Sequence, residues 1–226
     1  MQPSTRDLQS QLSSQWDVLA PSPEDRALLE RAMAASFAVH DGQLRPNGLP
    51  YPDHPLTVAL RMLTAGAAPT RSHLVAALLH DAVEDAHEAL VTFLGGRGAG
   101  ASREEAFQAI SDHLDPLAAA WIRAFTNPEF DPARKNELYR AHVVDLVDHA
   151  PDAFLVKFED FSENALSLGG LEEGPRKQKL RAKYGPVVRG LRDRLSTLDP
   201  SHPLAPHRRR MLAALDGALA GEYAGH

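Results

Sequence analysis

The chain has 226 residues, 43% of them hydrophobic, which is enough for one good-sized core or two small ones. A formal net charge of −6 argues against a general nucleic-acid or anionic-membrane binder, since either needs a basic face. The absence of cysteine excludes disulfides, thiol nucleophiles and thiolate metal sites, and agrees with a reducing cytoplasm.

In chain order, the first thirty residues carry acids and lack an apolar core segment, so no signal peptide is expected in them. No apolar run approaches the ~20 residues that a membrane span requires. A short helix is expected near 5–18. Apolar residues then recur at three- and four-residue spacing over 24–39, 55–65, 71–90, 103–111, 114–125, 133–149, 152–168, 175–195 and 204–220, each read as a helix. Breaks fall at "PSPED", "DGQLRPNGLPYPDHP", "GGRGAGAS", "NPEFDPA", "GGLEEGP" and "LDPSHPLAP". Strand alternation is scarce and no internal repeat is visible. The expectation is an all-α fold. Its domain would run over 23–195, with an N-terminal helical extension over 1–22 and a C-terminal linker and helix over 196–226 packed on the outside.

Within the third of these long stretches, "HLVAALLHDAVEDAHEAL" is apolar up to His80 and then brings His80, Asp81, Glu84 and Asp85 within six positions. On one continuous helix these four share an arc of ~140°, opposite Val75, Ala76, Leu79, Ala82 and Val83. Acids near a helix C-terminus oppose the dipole, and Asp81 and Asp85 repel at i,i+4 spacing, each effect costing a few tenths of a kcal/mol to about one. A bound cation would reverse both. The rival reading is a solvated acidic helix end.

Two distant segments weigh against that rival. His54 stands just before Pro55 at the start of another expected helix, where a capping or loop histidine is the alternative. Asp160 lies in "FLVKFEDFSENALSL" with Lys157 and Asn164 on its face, and its apolar neighbours make it a partly buried acid that needs a partner.

The order H…HD…D formed by His54, His80–Asp81 and Asp160 is similar to that of the HD-domain metal-dependent phosphohydrolases. The longer stretches "HDGQLRPNGLPYPDHPLTVA", "AALLHDAVED" and "VKFEDFSEN" resemble the hydrolase domain of RelA/SpoT-type alarmone enzymes, over about residues 28 to 190 and in the small, hydrolase-only form. The resemblance implies a single HD-domain helical bundle with an extra C-terminal helix. It also implies metal ligation by His54, His80, Asp81 and Asp160, with Glu84 and Asp85 orienting and deprotonating the attacking water. Two imidazoles and two carboxylates suit Mn²⁺, the family's usual ion, with Fe²⁺ or Zn²⁺ as alternatives. Arg45 matches the arginine that meets guanine, and Asn164 and Tyr184 match positions near the nucleotide. The rivals are a solvated loop arginine for Arg45 and plain core packing for Tyr184.

The implied reaction is loss of the 3′-pyrophosphate from guanosine tetra- or pentaphosphate (ppGpp, pppGpp), the alarmones of the stringent response, in the cytoplasm. The implied partner is a small guanine nucleotide, not nucleic acid or membrane. Some positions depart from the family pattern: Pro46, Phe161 and Leu166 stand where basic residues are common. Lys177, Lys179, Arg181 and Lys183 offer a compensating basic face, while the glycines of "LGGRGAGASREE" suggest flexibility only. The alternatives are an HD phosphohydrolase of another phosphorylated nucleotide, such as NADPH, and a non-catalytic nucleotide-sensing HD module. His40 opens the first motif and is read as a supporting group, not a ligand.

Overall fold

The computed structural model describes residues 3–45, 47–65 and 69–224. Over these residues the protein is all-α, with eleven helices, one 3-10 turn at Leu168–Gly170 and a single isolated antiparallel bridge between Leu44 and Pro50. Most helix starts follow from local chemistry. Ser4 and Ser102 head capping boxes with Asp7 and Glu105, and Ser22 and Asp115 cap helices whose first residues are Pro23 and Pro116. No helix among the described residues is long and apolar enough to cross a membrane. The chain divides into two compact units, Met1–Thr126 and Asn127–His226.

The first unit holds α1 (Thr5–Val18), α2 (Pro23–Val39), α3 (Asp53–Thr64), α4 (Arg71–Leu79), α5 (Ala82–Phe93), α6 (Arg103–His113) and α7 (Pro116–Phe125). Its centre is α4, buried from Ser72 to Leu79 and packed against α2, α3 and α7. A helix apolar all round is the pattern of a core helix. Helix α1 lays Leu8, Leu12 and Trp16 against the unit through α3, and the Thr5 hydroxyl donates to Asp53 at 2.5 Å.

The expected continuous helix over 71–90 is instead two helices. It breaks at His80–Asp81, and α5 itself bends at Ala86 (φ −156°, ψ 50°). This reverses one expectation. Glu84 and Asp85 occupy the first turn of α5, where the dipole favours acids, so the unfavourable dipole argument does not apply. The glycine loop after α5 contacts that helix at two points. The Gly100 amide donates to Glu88 at 3.0 Å, and at Gly98 a Cβ would run into the Glu88 carbonyl and the Thr92 hydroxyl. There glycine serves close approach rather than flexibility.

The second unit holds α8 (Lys135–His149), α9 (Pro151–Ala165), α10 (Pro175–Ser196) and α11 (Arg208–Ala220). Helix α9 is buried from Ala153 to Ser162, and α10 packs against α8, α9 and α11. The expected start at 204 shifts to Arg208, because Pro203 and Pro206 hold the preceding residues in turns. The basic run His207–Arg210 is used mostly inside the unit. Arg208 donates to the Ser196 carbonyl at 2.5 Å, and Arg210 pairs with buried Glu159 at 2.6 Å.

Candidate metal centre

Three of the expected ligands converge within the first unit. The imidazole Nε2 atoms of His54 and His80 lie 3.0 Å apart, and Asp81 Oδ2 is 3.1 Å from His80 Nε2 and 3.6 Å from His54 Nε2. This triad forms a group of donor atoms that could hold one metal ion. Donors ~2.2 Å from one shared ion lie roughly 3–3.6 Å apart, so the three observed edges are compatible with a single bound cation. Two imidazoles and one carboxylate would leave such an ion further positions for other ligands.

Local structure explains why these atoms meet. His54 is the second residue of α3, held there by its amide donating to the Tyr51 carbonyl at 2.9 Å. His80 ends α4 in the break before α5, and its Nδ1 lies 2.8 Å from the Ala77 carbonyl. A carbonyl only accepts, so Nδ1 carries the proton and the Nε2 lone pair faces the cluster. Both imidazoles are almost wholly buried, whereas the Asp81 side chain keeps 24% of its surface exposed.

The remaining acids follow from the turn that begins α5. The Asp85 amide donates to the Asp81 carbonyl at 2.9 Å, which places Asp85 one turn above Asp81. Surrounding protein, and then the Asp81 charge, push the Asp85 carboxyl above its ordinary range although its side chain reaches solvent. Glu84 is half-buried in the same turn.

One side chain that the sequence did not single out, Tyr51, belongs to this group, and His40, expected as a supporting group, packs against it. The Tyr51 hydroxyl donates to Asp81 Oδ2 at 2.6 Å. Its ring stacks on His40 at 4.4 Å between centroids, and His40 Nδ1 is 3.0 Å from Gln43 Oε1. Burial holds the Tyr51 phenol above its ordinary range and His40 below its own, so the phenol stays protonated and the ring of His40 neutral. The spacing of Tyr51 three residues before His54 in "YPDHP" was the available signal.

No known protein-family profile matches the chain. Over 61 residues, 27% of its length, it is 48% identical to a Mycobacterium tuberculosis protein named bifunctional (p)ppGpp synthase/hydrolase RelA. The same identity over the same length relates it to a Mycobacterium bovis protein named probable GTP pyrophosphokinase. Part of this chain is therefore similar to a RelA protein. The matched stretch spans 8% of the length of each relative.

Arg45 is half-buried in the loop between α2 and α3, where its amide donates to the Leu49 carbonyl and its carbonyl accepts from Gly48, both at 2.8 Å. Gly48 has φ +83°, a turn conformation that favours glycine. Pro46 lies outside the described residues. The other expected site residues belong to the second unit. Asp160 on α9 is 5% exposed; its carboxylate accepts from Lys157 at 2.9 Å and from Asn164 at 2.6 Å. Tyr184 on α10 is buried edge-on against Phe161, at 5.7 Å between centroids. The basic face expected on α10 is largely engaged: Lys177 and Arg181 both pair with Glu173 and Glu222.

Proposed function

We propose that the protein is an HD-type, metal-dependent hydrolase that removes the 3′-pyrophosphate of ppGpp or pppGpp. The observation that carries this reading is the convergence of His54, His80 and Asp81 on one point, in the order and spacing of the motifs described above. The partial likeness to a protein named as a (p)ppGpp synthase/hydrolase supports it. In this reading the hydrolase domain runs over 23–195 and works in the cytoplasm. The motif order assigns Asp160 as the fourth ligand.

Mn²⁺ is the proposed ion, and when bound it would acidify a coordinated water and polarise a phosphoryl oxygen. Asp85, one helical turn from Asp81, is suited to take a proton from the attacking water, and Glu84 to orient that water. The water oxygen bonds to the phosphorus on the ribose 3′-oxygen, the 3′ P–O bond breaks, and the ribose oxygen gains a proton. The products are pyrophosphate and GDP or GTP. Arg45 would stack on the guanine, with Asn164 and Tyr184 close to the nucleotide.

One observation favours a second reading, hydrolysis of a phosphorylated nucleotide with fewer charges, such as NADPH. Lys177 and Arg181 are engaged by Glu173 and Glu222, and Phe161, at a position that is commonly basic, is packed 1% exposed against Tyr184. The test is product analysis with Mn²⁺ on ppGpp, NADPH and deoxynucleotides side by side. Pyrophosphate from ppGpp is the expected result. Turnover of another nucleotide without it would transfer the assignment, and binding without turnover of any would leave a nucleotide-sensing module.

A further inference from the structure

Asp81 is the one carboxylate of the triad. It sits where α4 has ended and α5 begins, makes no side-chain cap bond to the new helix, and is the most exposed of the three. Its usefulness as a ligand nevertheless depends on one oxygen, Oδ2, facing both imidazoles at once. That same oxygen accepts the Tyr51 hydroxyl at 2.6 Å.

We infer that Tyr51 is a positioning residue of the metal centre, whose phenol holds Asp81 Oδ2 in the ligating orientation. The inference rests on the hydrolase reading in that it takes the triad to hold a metal ion. Tyr51 is itself fixed on several sides. Its ring stacks on His40, a side chain 1% exposed and bonded to Gln43, and meets His54 edge-on at 6.1 Å. Its amide donates to the Gln43 carbonyl at 2.9 Å, and its carbonyl receives the His54 amide at 2.9 Å. One tyrosine thus ties two ligands to a common frame: His54 through the backbone three residues on, and Asp81 through its hydroxyl.

Two effects of the hydroxyl oppose each other. A donor on the ligating oxygen withdraws negative charge and so weakens metal attraction. Fixing the carboxylate removes the cost of ordering it when the ion binds. Because the carboxylate is partly exposed and its own helix does not restrain it, orientation is the larger effect, and losing the hydroxyl weakens binding. Partners of this kind are generally worth ~10–100-fold in metal affinity.

The experiment is calorimetric titration of Mn²⁺ into the chelator-stripped full chain, comparing the unsubstituted protein with Tyr51→Phe, alongside thermal melting of both without metal. Phenylalanine keeps the ring on His40, so the metal-free melting temperature should match while the dissociation constant rises ~10–100-fold. Equal or tighter Mn²⁺ binding by Tyr51→Phe overturns the inference while leaving the hydrolase reading intact. A loss of affinity matched by a large fall in metal-free melting temperature assigns Tyr51 to packing and also overturns it. Absence of Mn²⁺ binding by the unsubstituted protein removes the hydrolase reading, and the inference with it.

Discussion

At the scale of single residues, ligation and chemistry separate. Asp81 holds one carboxylate oxygen within 3.6 Å of both imidazoles, so Asp81→Ala should abolish Mn²⁺ uptake and hydrolysis together. Glu84→Ala should retain the metal and lose ~10²–10⁴-fold in turnover, the usual worth of a positioned acid or base. Parallel metal titration and pyrophosphate release check this, and release of the metal by Glu84→Ala with normal turnover in excess Mn²⁺ would reverse the roles. Arg45 is expected to act on substrate alone. Losing one charge-assisted hydrogen bond, about 1.5–3 kcal/mol, should raise the KM for ppGpp tenfold or more in Arg45→Ala. An unchanged KM would return Arg45 to the status of a loop arginine. The group of His54, His80 and Asp81 was legible because hard and borderline donors stood in an ordered set of motifs. Tyr51 was not, since its role lies in a 2.6 Å contact with a residue thirty positions away.

At the scale of elements, helix existence was read correctly from periodicity, whereas one continuity was not. The run over 71–90 has unbroken helical patterning, yet the chain breaks at His80–Asp81. Neither residue is a helix breaker, and the break lies where both side chains turn toward His54. Periodicity reports which face is apolar, and it does not register a break that tertiary contacts impose. The glycine loop gave the opposite lesson. Composition suggested flexibility, but Gly98 lies against the backbone of α5, where no Cβ fits. Gly98→Ala should therefore destabilise the protein by ~1–3 kcal/mol through overpacking against a carbonyl that cannot swing aside. Gly170→Ala, which meets nothing within 4 Å, should change stability by less than ~0.5 kcal/mol. Urea unfolding of both variants measures the contrast, and equal midpoints would show that the loop yields.

At the scale of the whole molecule, each unit carries a core built around one almost wholly buried helix, α4 in the first and α9 in the second. Charge on α10 is committed to holding the second unit together. Arg181 and then Lys177 pull the Glu173 carboxyl down from its ordinary 4.5 to about 2. A depressed carboxylate stabilises the folded state above its unfolded pKa and loses that contribution as pH falls through the folded one. The melting difference between the unsubstituted protein and Glu173→Gln should be present at neutral pH, shrink below pH ~4.5 and vanish near pH ~2. Glu173 is well exposed, so solvent screening keeps the effect small. A difference that stays constant across that range would separate Glu173 from Arg181 and Lys177 in solution.

By itself, the sequence determined the all-α class, the near-complete set of helices and three donor residues, His54, His80 and Asp81, that the fold brings together. Helical periodicity, Ser and Asp caps and prolines at first-turn positions are local signals, and ligand chemistry is a property of residue type. Only the tertiary structure decided that the helix ends at His80 and that a tyrosine meets Asp81. It also decided that Lys177 and Arg181 are spent on Glu173 and Glu222. Each of those depends on side chains that are distant along the chain or share no periodic signal. A pattern read at fixed spacing along one helix carries no information about which charge from another part of the chain will reach it first.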